Sequence, residues 1–256
     1  MARKHTRGFR SGTLPFSLHW TNFMAHEFVF PPPAVVSIPV VGQTRRFAVH
    51  RIYCVGRNYE EHAKEMGFTG REPPFFFMKP ADAVVVVDAG ETGTMPYPTL
   101  TKSLHHEIEL VVAIGTGGKS IAAADAHKHI FGYAVGLDMT RRDLQSDMKK
   151  QGRSWEIGKA FDHSAPIGPI VPVADAGDIE NAEISVQVGG TDRQRSNVGK
   201  LIWNIGETIE HLSAAWELQP GDLIYSGTPE GVAAVVSGDT MVGEITGLPT
   251  LKITVS

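Results

Sequence analysis

From residue 47 onward, short apolar runs alternate with turn residues, and no segment repeats. Two runs stand out. Residues 108–114 are apolar apart from Glu109, and residues 130–137 carry no charge at all. Such continuity predicts strands buried on both faces. Shorter runs predict strands at 51–55, 75–78, 83–87, 184–188, 223–225, 240–245 and 250–255. Helices are predicted at 59–66 (closed by Gly67), at 121–128 (capped by Ser120), at 140–150 (ended by Gly152), and at 205–216 between Asn204 and Pro220. Strands outnumber helices without regular alternation. This argues against a doubly wound sheet or a (β/α)₈ barrel and for a β-rich α+β fold.

The first 23 residues are different in kind. They carry Arg3, Lys4, Arg7 and Arg10 and no acid, and polar residues interrupt positions 11–22. A secretory signal needs an unbroken apolar stretch there. An organellar transit peptide fits the composition, and a disordered tail with Met24 as the functional start fits it better. Prolines 31–33 then make a stiff connector. The expected division is an N-terminal extension and small segment at 1–50, followed by one domain at 51–256.

Composition narrows the class. The chain has 256 residues, 42% hydrophobic and 20% charged, which is ordinary for a globular protein. A formal charge of −4 is no footprint for nucleic acid. No stretch is apolar for long enough to suggest a membrane span. The single cysteine, Cys54, excludes an internal disulfide framework and a multi-thiolate metal cluster. A soluble cytoplasmic protein acting on a small molecule is the expectation.

Several constellations could carry chemistry. In the stretch 105–110, HHEIEL, strand parity puts Glu107 and Glu109 on one face and Ile108 and Leu110 on the other. Two carboxylates about 7 Å apart repel by roughly 2–3 kcal/mol at an effective dielectric near 20. Burial therefore demands a cation, a proton or a basic side chain; an exposed strand end would leave both acids solvated. Asp138 follows the 130–137 run, and alone it reads as an acid complementing the next helix dipole. Joined to the two glutamates it completes an oxygen-only set suited to Mg²⁺, Mn²⁺ or Ca²⁺. His105 and His106 offer a competing zinc or iron reading, weakened because only His105 shares the glutamates' parity.

On the 59–66 helix, His62 and Glu65 are neighbours, either an oriented general base or an ordinary surface ion pair. Lys159, among apolar residues, either holds an anion or extends to water. Residues 226–231, SGTPEG, end a strand with small residues, so backbone amides and the Thr228 hydroxyl could approach an anion, as could any Pro/Gly turn. GTGGKS at 115–120 is not a phosphate loop, because Ala113 stands where the first glycine should be. No G-x-S-x-G elbow is present.

Taken together, GRNYEEHAKEM, FFFMKP, LHHEIEL, GLDMTRRDLQ, GKAFD and SGTPEGV, in this order across 51–256, resemble the fumarylacetoacetate hydrolase family, closest to its acylpyruvase and fumarylpyruvate hydrolase branch. The resemblance implies a mixed β-sandwich roll and a homodimer. It implies Mg²⁺ or Mn²⁺ held by Glu107, Glu109 and Asp138, and a 2-oxo acid held by Arg142, Gln145, Lys159 and Thr228. His62 and Glu65 fall on a catalytic dyad, with Lys159 also catalytic. The expected reaction is hydrolysis of the C–C bond of an acylpyruvate, fumarylpyruvate foremost, to pyruvate and a second acid. Oxaloacetate decarboxylation, or isomerisation or decarboxylation of a 2-oxo-dienedioate, is the alternative on the same scaffold. A non-catalytic acid-binding protein is a third. Arg71, Arg153 and the loop 67–74 are candidates for reading the substrate's far end.

Overall fold

The structure, a computed structural model, describes residues 28–61 and 71–256. In chain order its strands are Ser37–Pro39 (β1), Arg46–Ala48 (β2), Ile52–Gly56 (β3), Phe75–Lys79 (β4), Val84–Val86 (β5), Gly93–Met95 (β6), Leu104–His105 (β7), Ile108–Ile114 (β8) and Ile130–Leu137 (β9). They continue with Thr140–Arg141 (β10), Ala165–Ile167 (β11), Val171–Pro172 (β12), Glu183–Val188 (β13), Thr191–Asn197 (β14), Leu223–Tyr225 (β15), Ala234–Val235 (β16), Thr240–Ile245 (β17) and Leu251–Val255 (β18). Three α-helices are described in full: Arg142–Lys150 (α1), Glu156–Lys159 (α2) and Ile205–Ala215 (α3). This is a β-rich α+β fold. Val35–Ser256 form one compact unit; of the unit before it, residues 28–34 are described and contain neither helix nor strand. Among the described residues no helix is long and apolar enough to cross a membrane.

The main sheet has eight strands in the order β4-β3-β15-β8-β9-β11-β5, with β12 also on β9. A second sheet runs β14-β13-β17-β18-β6. Every residue of β8 is buried, and alternate residues enter two cores. Ile108, Leu110, Val112 and Ile114 join Ile184, Val186, Met241 and Ile245 of the second sheet, with Ile209 and Leu212 of α3. Val111 and Ala113 join Cys54, Ala134, Leu223 and Tyr225 on the other face. At about 1.5–3 kcal/mol for each fully buried aliphatic side chain, this two-sided burial dominates the stability of the centre. Closeness across β9 depends on Gly136, where a Cβ would lie 2.5 Å from Val111 Cγ2 and 2.7 Å from Tyr225.

The β8–β9 register places the candidate acids. Ile108 pairs with Leu137 and Glu109 with Gly136, antiparallel. One residue beyond the strand ends, the Asp138 N–H donates to the Glu107 carbonyl at 2.9 Å. Glu107 and Asp138 are therefore cross-strand partners, and Glu109 is Glu107's neighbour on the same face.

Several local expectations are corrected. Ser120 caps nothing: it has φ +52°, and the segment after it is a 3₁₀ helix, Ala123–Lys128, whose N-cap is Ala122. The helix expected from Thr140 begins at Arg142, because Thr140 and Arg141 pair with His105 and Leu104. Asp138 thus ends a strand and does not complement a helix dipole. Of the helix expected over 59–66, Glu60 and Glu61 are helical, Tyr59 just before them makes an isolated bridge to Leu201, and residues 62–66 lie outside the described set. Asn204 does cap α3, with a full capping box to Glu207. The strand Thr191–Asn197 was not expected at all.

Candidate active site

The acid trio converges. Glu107, Glu109 and Asp138 each present a carboxylate oxygen, all within 4.8 Å of one another, and all three residues are buried. Around them is a narrow cleft, also lined by Arg57, Phe77, Arg142, Gln145, Trp155, Lys159 and Thr228.

Lys159 sits at the C-terminal end of the one-turn helix α2 and is 2% exposed. It does not extend to water. Its ammonium donates to Glu107 Oε2 at 2.7 Å, Asp138 Oδ2 at 2.6 Å and Thr140 Oγ1 at 2.7 Å. Burial works against its charge, but Asp138 and Glu107 outweigh it and hold the pKa above the usual lysine value. α2 reaches this position because Gly158 lies against α1: a Cβ there would be 2.9 Å from Gln145 Cβ.

Glu109 is in the opposite situation. It accepts the Gly227 N–H at 2.9 Å, but burial, then Asp138 and Glu107, push its pKa well above the usual carboxylate value. Asp138 Oδ1 has Lys79 Nζ at 2.8 Å, in an orientation that makes the contact ionic and not a directed hydrogen bond. A buried carboxylate held back from ionising, beside an oxygen with no directed donor, is a donor set suited to a hard divalent cation.

Arg142 and Gln145 lie one turn apart on α1. Arg142 donates to Glu107 Oε1 and, at 2.7 Å, to Gln145 Oε1. The Gln145 amide NH₂ is left as the group able to meet a carboxylate. Thr228 follows β15; its hydroxyl donates to the Ile108 carbonyl at 2.8 Å and accepts from Gln194 Nε2 at 2.8 Å. Both hydroxyl roles are engaged, so the backbone N–H is what Thr228 has to offer an anion. His62 and Glu65 lie outside the described residues.

The histidine reading gains nothing. His105 belongs to β7, a separate short strand, and bonds Ser103 Oγ at 3.0 Å. Burial and then Arg142 lower its pKa to about 4. His106 Nδ1 faces Gln194 Oε1 at 2.9 Å, so Nδ1 carries the proton. Burial lowers its pKa too. Neither histidine joins the metal-competent group among the described residues.

Three residues of the site escaped the sequence reading. Lys79, 1% exposed, ends the apolar strand β4 and braces Asp138, Met139 and Lys159 through its ammonium. A charge closing the four-residue apolar run 75–78 before Pro80 is the available signal. Gln194, 1% exposed, ties His106, the Ile108 N–H, Thr228 and Pro229 together. Its strand, TDRQRSN, carries no apolar alternation to flag it. Arg57 lines the cleft from the end of β3.

Fold and site together define a β-rich enzyme scaffold with a buried carboxylate trio, able to hold a hard divalent cation, beside buried lysines. The chain belongs to the fumarylacetoacetate hydrolase family: residues 51–256 match its Fumarylacetoacetate (FAA) hydrolase C-terminal domain. It is 45% identical over 184 residues to a fumarylpyruvate hydrolase of Ralstonia sp, covering 72% of this chain and 93% of that one. It superposes with a TM-score of 0.88 on the crystal structure of fumarylpyruvate hydrolase from Pseudomonas aeruginosa in complex with Mn²⁺ and pyruvate, at 56% identity over 90% of this chain and 99% of that one. It is also 37% identical over 200 residues to a mitochondrial oxaloacetate decarboxylase of Dictyostelium discoideum, covering 78% and 90% of the two chains.

Proposed function

We propose that the protein hydrolyses the C–C bond of acylpyruvates, with fumarylpyruvate as its substrate and fumarate and pyruvate as products. The observation that carries this is the trio of carboxylates within 4.8 Å, with Lys159 lying against it inside the cleft. Similarity to the Ralstonia and Pseudomonas enzymes supports it.

Breaking the bond between the acyl carbonyl and the adjacent methylene leaves an electron pair that the 2-oxo group receives as an enolate. A divalent ion, Mg²⁺ or Mn²⁺, held by Glu107, Glu109 and Asp138, supplies Lewis-acid stabilisation of that charge. Lys159, its three donors held by Glu107, Asp138 and Thr140, adds a positive charge at the same end. Arg142, the Gln145 amide and the Thr228 N–H hold the pyruvyl carboxylate. His62, oriented by Glu65, takes a proton from the water that attacks the acyl carbonyl; general-base help of this kind is typically worth about 10²–10⁴-fold.

Charge balance favours a dianion. The three carboxylates face Lys79, Lys159 and Arg142, so a divalent ion leaves the trio's surroundings with two positive charges, while Arg57, also lining the cleft, is offset by Glu72 at 4.0 Å. A dicarboxylic 2-oxo acid such as fumarylpyruvate neutralises them. Assembly as a homodimer goes with this reading on family resemblance alone, and a cytoplasmic location on composition alone.

The Mn²⁺-loaded protein is expected to convert fumarylpyruvate faster than acetylpyruvate or oxaloacetate when the three are assayed in parallel. The Dictyostelium relative favours oxaloacetate decarboxylation as the second reading, and faster turnover of oxaloacetate would put that reading first. His62→Ala is expected to lose about 10²–10⁴-fold in turnover while still binding Mn²⁺ and oxalate. Near-wild-type hydrolysis by that variant removes the dyad from the mechanism.

A further inference from the structure

Gln194 is a side-chain amide buried behind Thr228, with no part in the reaction described above. It is 1% exposed and belongs to β14, an edge strand of the second sheet. Just before it the pairing with β13 skips a residue: Val186 faces Gln194 and Gln187 faces Asp192, so Arg193 bulges out. A bulge re-aims the side chains beside it. Residues 191–193 are all exposed, and Gln194 turns inward.

Every hydrogen-bonding position of this amide is taken. Oε1 accepts the Ile108 N–H at 3.1 Å and the His106 Nδ1–H at 2.9 Å. Nε2 donates to the Pro229 carbonyl at 2.7 Å and to Thr228 Oγ1 at 2.8 Å. A backbone N–H only donates and a carbonyl only accepts, so the amide has one possible orientation. With Nε2 donating to Thr228 Oγ1, the hydroxyl proton goes to the Ile108 carbonyl at 2.8 Å. Gln194 thus ties the turn after β15 to the strand that carries the two glutamates.

The turn is fixed on its other sides as well. Asn58 Nδ2 donates to the Ser226 carbonyl at 2.8 Å, and the Gly227 N–H donates to Glu109 at 2.9 Å. At Gly231, φ +91°, a Cβ would press into the Arg193 carbonyl oxygen, so glycine is what lets the loop rest on the bulge. Pro229 has no N–H to offer. Among the described residues the Thr228 N–H has no acceptor, and Thr228 lines the cleft. Arg71 and Arg153, the arginines expected at the substrate's far end, do not line it. Arg71 lies over Trp203 at 4.0 Å and pairs with Glu207 at 2.6 Å, and Arg153 is exposed.

We propose that Gln194 is a positioning residue for the substrate carboxylate: its NH₂ group sets the turn so that the Thr228 N–H meets that carboxylate. This rests on the pyruvyl-binding role given to Thr228 above and names the side chain on which that role depends. Glu109 and Asp138 are placed by the β8–β9 register, so binding of the divalent ion depends on Gln194 far less.

Gln194→Met is neutral, of similar length, and removes all four bonds. Calorimetry at saturating Mg²⁺ is expected to show pyruvate bound about tenfold more weakly than by the wild type, with Mg²⁺ affinity within about threefold. For fumarylpyruvate, KM is expected to rise by about the same tenfold factor and kcat to change less. Should Gln194→Met fail to fold, Gln194→Asn takes its place with the same expectation, since its amide is one methylene too short to span both partners. A second measurement follows the ¹H–¹⁵N resonance of the Thr228 amide as pyruvate is added to the Mg²⁺-loaded protein. It is expected to move in the wild type and to move less in the variant. Equal losses of Mg²⁺ and pyruvate affinity mean that Gln194 only supports the fold and overturn the assignment. Unchanged pyruvate affinity, or a Thr228 amide indifferent to pyruvate, overturns it too. If the wild type hydrolyses no acylpyruvate yet pyruvate binding weakens with loss of Gln194, the reaction reading fails and the positioning role stands.

Discussion

Glu109→Gln is expected to lower kcat/KM by about a thousandfold while leaving the metal-free protein at least as stable as wild type. Glutamine keeps the shape of the side chain and removes one negative charge from a trio whose oxygens lie within 4.8 Å. Loss of that charge weakens the divalent ion's site and with it the stabilisation of the enolate. Stability follows the sign of the shift. Burial, then Asp138 and Glu107, raise the Glu109 pKa in the folded chain. Above the ordinary glutamate pKa of about 4.3 the unfolded chain ionises freely, while the metal-free folded chain resists doing so. Folding is therefore opposed as pH rises through that window, and the amide escapes the penalty. The same proton competes with the metal, so Mn²⁺ affinity of the wild type should weaken as pH falls, and the variant should show a weaker affinity with a flatter pH dependence. Calorimetric Mn²⁺ titrations at several pH values, with metal-free melting curves, check all three. Unchanged Mn²⁺ affinity in Glu109→Gln would take this residue out of the site.

The parts legible from sequence are those set by local pattern. β8 and β9 could be delimited because a strand buried on both faces needs a nearly continuous apolar run, and each has one, interrupted in β8 by Glu109 alone. Parity alone put Glu107 and Glu109 on one face. Pairing with Asp138 needed the β8–β9 register, which only tertiary packing around Gly136 supplies. Taken alone, Asp138 reads as a helix-terminal acid, because nothing local distinguishes TRRDLQ as helix from its first two residues as strand; Thr140 and Arg141 become strand by pairing with β7. Lys159 reads as amphipathic because burial of an ammonium depends on carboxylates 21 and 52 positions away. Gln194 is invisible for the same reason: its four contacts all lie on other strands or loops. The strands carried the fold in their periodicity, whereas the site's cations are specified by long-range contact.

Lys159→Met is expected to separate the two duties of that lysine. Its ammonium is 2% exposed and satisfies two buried carboxylates and a hydroxyl. Methionine fills similar space and supplies none of those donors. Without metal, Glu107 and Asp138 lose a shared counter-charge, and breaking a buried pair on one side costs about 3–5 kcal/mol. For a domain of this size that is a fall in Tm on the order of 10 °C. Lys79 and Arg142 remain beside Asp138 and Glu107, which keeps the loss short of unfolding. Saturating Mn²⁺ places positive charge among the same oxygens, so the Tm gap between variant and wild type should narrow as metal is added. Turnover should not recover with it. The charge that develops on the 2-oxo oxygen forms on the substrate, beside the position of the lost positive charge, and kcat with saturating Mn²⁺ is expected to stay about 10²–10³-fold down. Melting curves and kcat measured across one Mn²⁺ titration decide the matter. If kcat recovers in step with Tm, Lys159 serves only to neutralise the acids; if neither moves from wild type, the buried contacts of its ammonium carry no weight.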